Sequence, residues 1–190
     1  MTDTKTEAPD VGTVPAQGIS MAIEVVVIPV ADVDRAMRFY AGLGWRLDLD
    51  FDSGNGYGVI QFTPPGSGCS IIFGRAVSLM SPGSAKGLHL VVEDIESARA
   101  DLLRRGVKVS EIFHDPSGIF HRVGPDGSVP GANPQRKSYA SFASFEDPDG
   151  NGWVLQEITA RLGPGLTPAD ARFTPEIVYA ALHRAHHKAG

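Results

Sequence analysis

Six histidines and one cysteine are the groups in this chain best able to hold a metal, move a proton or act as a nucleophile. His89 lies inside the short apolar run 88-LHLVV. Alternation along a strand sends its ring to one face, where it could hydrogen-bond a ligand or act as a general base. The plainer alternative is a neutral histidine satisfied by a polar neighbour near a strand end. His114 and His121 flank the Gly/Pro-rich stretch 114-HDPSGIFHRVGPDGSVPGANPQRK-137, with Asp115, Arg122 and Asp126 close by. If this stretch folds over a pocket as a lid, these groups could contact a ligand or shuttle a proton. His89, His114 and His121 together could form a nonstandard imidazole site for zinc, iron or nickel; solvated loop histidines are the simpler outcome. His183 and His187, four apart, could share a helix face and bind a metal, against the alternative of a solvated helix end.

A second stretch with chemical content is 145-FEDPDGNGWVLQEI-158. Asp147, Pro148, Asp149 and Gly150 suit a type I turn, and Trp153-Val154-Leu155 opens a β-prone run. Strand parity puts Val154 and Gln156 on one face and Trp153 and Glu157 on the other. Gln156 can donate to and accept from a ligand, or pair across strands at a sheet edge. Trp153 and Trp45 could stack on a flat ligand, but packing is their ordinary role. Phe142 and Phe145 point opposite ways, so one of them should line a pocket. Cys69 reads as a half-buried strand residue rather than a nucleophile. The sequence has no phosphate-binding glycine loop and no nucleophile elbow.

The elements that would position these groups come twice. In the first copy, 24-EVVVIPV meets Asp32 as a helix N-cap, and Gly44 stops the helix after Leu43. In the second, 88-LHLVV meets Asp94, and Gly106 is the stop. The helices are offset by 62 residues, and each is followed by β-type segments: 46-RLDLDFD, 57-YGVIQF and 69-CSIIFG, then 107-VKVSEIF, 138-SYASFASF and 152-GWVLQEI. Setting Pro65 against Pro148 gives 83 for the last hairpin, so the second copy carries about 21 extra residues, all within 114–137. The expected units are a disordered segment 1–21, one module at 22–80, a second at 85–159, and an extension 160–190. That extension carries a helix over 175–188, capped by Thr174.

At 190 residues and 42% hydrophobic, the chain can bury a good core. A net charge of -5 leaves no basic surface for nucleic acid, and no apolar run is long enough to span a membrane. The first 20 residues lack the apolar core of a signal peptide, and a single cysteine suits a reducing compartment, so the expected location is the cytoplasm.

VVVIPVADVDRAMRFYAGLGW, LHLVVEDIESARADLLRRGV and SFEDPDGNGWVLQEI, in that order over roughly residues 22–159, resemble the vicinal oxygen chelate superfamily of glyoxalases, bleomycin-resistance proteins and dioxygenases. The resemblance implies an α+β fold: two βαβββ modules forming an open, cup-shaped mixed sheet, here with an added C-terminal helix. It also implies a small molecule in the cup and, in many members, a divalent metal. The four places that supply ligands in metal-using members fall here on Val25, Ile71, Gly87 and Val154. None of these side chains binds a cation. Glu24 and His89 are the nearest metal-capable groups.

The expectation is therefore a cup with no cofactor, and a divalent metal only through a nonstandard site. The expected lining is Val25, Val27, Ile71, Phe73, Gly87, Phe142, Val154 and Gln156, with Tyr57 and Gln61 as weaker additions. His89, His114 and His121 are the candidate catalytic groups. The implied function is binding of a small organic molecule. The alternatives are a glyoxalase-type lyase, epimerase or dioxygenase built on histidines, and a relative that has lost its ligand. Drug-sequestering relatives pair two chains to make shared crevices, which leaves a homodimer open.

Overall fold

The computed structural model describes residues 19–118 and 127–183. His121, Arg122, Asp126 and His187, and most of the 1–21 segment, lie outside them. The first module is β1 (Val25–Val27), α1 (Val33–Gly42), β2 (Arg46–Asp52), β3 (Gly58–Thr63) and β4 (Ser70–Arg75). The second is β5 (Leu88–Val92), α2 (Ile95–Arg104), β6 (Phe113–His114), β7 (Val129–Pro130), β8 (Ser141–Glu146) and β9 (Gly152–Glu157), and α3 (Pro175–Leu182) follows. Sheet one has the order β1-β4-β3-β2 and sheet two β5-β9-β8-β6-β7. In each, the first strand of the module runs parallel to the last, and the other pairings are antiparallel. The repeat read from the sequence is thus a repeat of topology, and the α+β class is as expected.

The helices begin where short polar side chains can take the free N–H groups of the first turn. Asp32 accepts from the Arg35 amide, Asp94 from those of Glu96 and Ser97, and Thr174 from that of Ile177. Gly44 and Gly106 end α1 and α2 at φ +77° and +82°, a region that a side chain disfavours. α3 stops at Leu182, with His183 as its C-cap, and positions 184–188 of the span expected to be helical lie outside the described residues.

One expected strand is largely missing. Of 107–113 only Phe113 pairs in a ladder, together with His114, and Val109 makes an isolated bridge to Phe145. The Ser110 amide donates to the Ser144 carbonyl, while the Ser144 amide is taken by the Ser110 hydroxyl rather than by a carbonyl. A side chain has replaced one rung, and the ladder breaks there. The long insertion also adds the short strand β7 at the outer edge of sheet two.

Both modules share one core. Ile28, Ala36, Tyr40, Trp45, Phe62, Ile71 and Phe73 from the first meet Ile95, Ala143, Phe145, Trp153 and Leu155 from the second. Tyr40 lies 5.1 Å from Trp45 and 6.2 Å from Trp153, ring centre to ring centre. The turn after β8 clasps the two modules together. Asp147 accepts from the Tyr40 hydroxyl (2.8 Å) and from the Asn151 amide group (2.8 Å). Asp149 accepts from the Ala31 amide and from Arg35, and Asn151 donates to the Pro29 carbonyl. Gly83, at φ +76°, passes so close that a Cβ there would sit 2.2 Å from the Asp149 carbonyl oxygen.

Candidate functional site

Register decides which side chains can meet a ligand. Val26 pairs with Ile71, and Leu88 and Leu90 pair with Trp153 and Leu155; all of these pack toward the helices. The opposite faces carry Val25, Val27, Val59, Gln61, Ser70 and Ile72 in sheet one. In sheet two they carry His89, Val91, Phe113, Phe142, Ser144, Val154 and Gln156. No ladder joins the two sheets among the described residues, so one chain presents two separate half-cups.

Val25, Val27, Val154 and Gln156 thus stand on the cup faces. Ile71 and Phe73 do not: both are buried against α1, and Phe73 stacks on Phe62. The cause is a one-residue slip. Since Val26 corresponds to Leu88, their partners Ile71 and Trp153 correspond, an offset of 82 (153 minus 71) rather than 83. The true counterpart of Val154 is Ile72. Aligning the prolines of 64-PPGSG and 147-DPDGN hid this, because residues 64–69 join β3 to β4 whereas only 147–151, one residue fewer, join β8 to β9.

The histidines do not converge. His89 is exposed, and its Nδ1 is 3.2 Å from Gln156 Oε1. His114 is buried on the opposite face, paired in register with Ser141, and bonded to the Gly131 carbonyl at 2.8 Å. Its site is structural, so the expected trio with His121 is not assembled by the described residues. The insertion's described flanks stand at the β6–β7 edge, three strands from β5. Ser117 there accepts from Thr174, and Gly118 lies against Ile177.

Phe142 stacks on Phe113 at 5.7 Å and is fully buried. The open part of sheet two is instead a trough of about 670 Å³ beside Gly87, Ser144, Glu146, Gly152 and Val154, with Lys86 and Lys108 at its rim. Lys86 is bound to Glu146 and to the Gly150 carbonyl. Sheet one presents a broader apolar face on which Val25, Leu49 and Phe51 are 38%, 43% and 47% exposed. Its one polar line is Gln61, Ser70 and Thr63: Gln61 donates to Ser70 (3.1 Å), and the two hydroxyls are 2.7 Å apart. Sequence reasoning passed over Ser70, Ile72, Ser144 and Lys108, and the single signal able to reveal them was the correct register.

Glu157 faces away from the cup, as parity predicts. It is fully buried, accepts from the Ile95 amide at the start of α2, and is held by the Arg136 guanidinium. Tyr40 is strongly perturbed: burial first, then the neighbouring Asp147 carboxylate, pushes its hydroxyl far above the usual tyrosine range.

Val25, Ile72, Gly87 and Val154 offer no side-chain oxygen, nitrogen or sulfur. Among the described residues, no three His, Cys, Asp or Glu side chains group as a metal site. The donor set does not fit the metal of the wider family.

The sequence profile of the Glyoxalase/Bleomycin resistance protein/Dioxygenase superfamily matches residues 22–155. The chain belongs to this superfamily. Among solved structures, it is similar to TnmS3, an antibiotic binding protein from Streptomyces sp. CB03234, at 28% identity over 72% of this chain and 95% of that one, with a TM-score of 0.53. A glyoxalase/bleomycin resistance protein from the same organism matches at 29% identity over 71% and 99%, TM-score 0.51. A superfamily member from Sphaerobacter thermophilus DSM 20745 matches at 25% over 72% and 97%, TM-score 0.51. No curated protein matches the chain significantly. Among the described residues, no helix is long and apolar enough to cross a membrane.

Proposed function

We propose that this protein binds a small organic molecule in the cytoplasm, without a protein-bound metal, and that two chains bring unlike half-cups together to enclose it. The observation that carries the reading is the character of the cup faces: the four ligand positions hold Val25, Ile72, Gly87 and Val154, none able to bind a cation through its side chain, beside the exposed apolar Val25, Leu49 and Phe51 of sheet one and the open trough of sheet two. An apolar concavity with a few placed polar groups is an ordinary small-molecule site. The antibiotic-binding neighbour at 28% identity supports it. Two observations support the dimer: no ladder joins the two sheets among the described residues, and the exposed Val25, Leu49 and Phe51 give sheet one an apolar surface that a second chain would cover. An enzyme of glyoxalase type is the second reading, favoured by one fact, the exposed imidazole of His89 beside the trough. It would have to work by metal-free acid–base chemistry.

The test is a thermal-shift screen of ring-bearing antibiotics and metabolites against the full chain. A ligand at about a hundred times its Kd should stabilise the fold by about 2.7 kcal/mol, and Ile72→Asp should abolish the shift. No stabilisation by any compound, together with a metal-free turnover that His89→Ala abolishes, would replace binding by catalysis.

A further inference from the structure

Gln156 is buried to 4% exposure on the cup face, and both ends of its amide are engaged. Its Nε2 donates to the Tyr139 carbonyl at 3.1 Å, so its Oε1 must be the end that faces His89 Nδ1, 3.2 Å away. The reverse orientation would set oxygen against oxygen at Tyr139. Tyr139 is itself held in place: its amide donates to the Glu157 carbonyl (2.9 Å) and its hydroxyl accepts from the Leu162 amide (3.3 Å). Its φ of +71° is a costly conformation for a tyrosine, and such strain gathers where a backbone group must be aimed.

An amide oxygen can only accept, so the atom facing it must carry the proton. We infer that Gln156 is a positioning residue that fixes neutral His89 as the Nδ1–H tautomer, leaving Nε2 as an acceptor toward the cup, and that the ligand therefore donates a hydrogen bond from a hydroxyl or N–H on an apolar body. This rests on the cup-binding reading and deepens it. It also assigns a purpose to the line Tyr139–Gln156–His89, in which a strained backbone carbonyl orients an amide and the amide orients a ring.

The experiment uses the full chain with isotope-labelled histidine, observed by long-range proton–nitrogen correlation at about pH 8.5, above the ordinary histidine range. His89→Ala assigns the signals. The expected spectrum shows a protonated Nδ1 and an unprotonated Nε2, with the proton redistributing to Nε2 in Gln156→Met. A native spectrum with the proton on Nε2 overturns the assignment outright, and so needs no variant to fold. A pattern unchanged in a folded Gln156→Met removes Gln156 from the role.

The ligand class is tested by titrating β-naphthol and its methyl ether. The hydroxyl compound should bind about tenfold more tightly and shift Nε2, the value of one hydrogen bond. Equal binding keeps the cup but overturns the donor requirement. Binding by neither overturns both ligand statements while the tautomer stands or falls on its own spectrum.

Discussion

Replacing Tyr40 by Phe removes one oxygen from the junction of the two modules and leaves every apolar contact of the ring. The hydroxyl donates to Asp147 at 2.8 Å and accepts from the Trp153 indole N–H at 3.3 Å, in a residue with no exposed surface. A hydrogen bond to a charged acceptor contributes about 1.5–3 kcal/mol, and an orphaned buried N–H costs about 1 more, so Tyr40→Phe should lose about 2.5–4 kcal/mol near pH 8. The loss must also depend on pH. An unfolded tyrosine ionises near its ordinary value of about 10, whereas burial and the Asp147 carboxylate keep the folded Tyr40 protonated well above that. The contribution is complete below about pH 10; above it the unfolded chain sheds a proton that the folded chain keeps, and stability falls toward about 1.4 kcal/mol per pH unit. The Tyr40→Phe variant, with no hydroxyl to ionise, has no such slope. The stability gap measured by urea denaturation should therefore narrow steadily from about pH 10 upward, other titrations cancelling between the two proteins. A gap that stays constant with pH, or one below about 0.5 kcal/mol at pH 8, would refute the clasp.

Other outcomes follow from the same geometry. Gly83→Ala should cost about 2–3 kcal/mol because its Cβ meets the Asp149 carbonyl. Gly66→Ala, at a nearly equal φ of +77° but facing open space, should cost about 1; equal losses in thermal unfolding would dismiss the close approach. Leu49→Asp with Phe51→Asp should leave the circular dichroism unchanged and convert a dimer to a monomer by light scattering, and an unchanged mass would refute the shared cup. Glu157→Ala should lose about 2–3 kcal/mol in urea, somewhat less than a fully buried broken pair costs because Arg136 stays 41% exposed. A loss under about 1 would mean that the carboxylate does not hold the start of α2.

Much of the frame was legible because it depends on local chemistry. Asp32, Asp94 and Thr174 cap their helices, Gly44 and Gly106 end two of them, and Trp153 and Glu157 fall on the face that alternation assigns. What was hidden depends on partners far along the chain. The DPDGN turn looked like a simple reversal, yet its side chains reach back more than a hundred residues to Pro29, Ala31, Arg35 and Tyr40. The same turn is one residue shorter than its counterpart in the first module, which moved the expected lining from Ile72 to Ile71. Ser110 broke a strand whose apolar alternation was sound, because a hydroxyl took the place of a carbonyl. Within the site, His89 and Gln156 were singled out by parity, but their bond crosses 67 positions and appears only once β5 lies beside β9.

The proposed site binds its ligand without a metal. The most direct test is the metal content of untagged protein, purified without chelators and analysed for zinc, iron, nickel, manganese and cobalt. Each is expected far below one atom per chain. A stoichiometric metal would contradict it and return His89 to the role of a ligand in a nonstandard catalytic site.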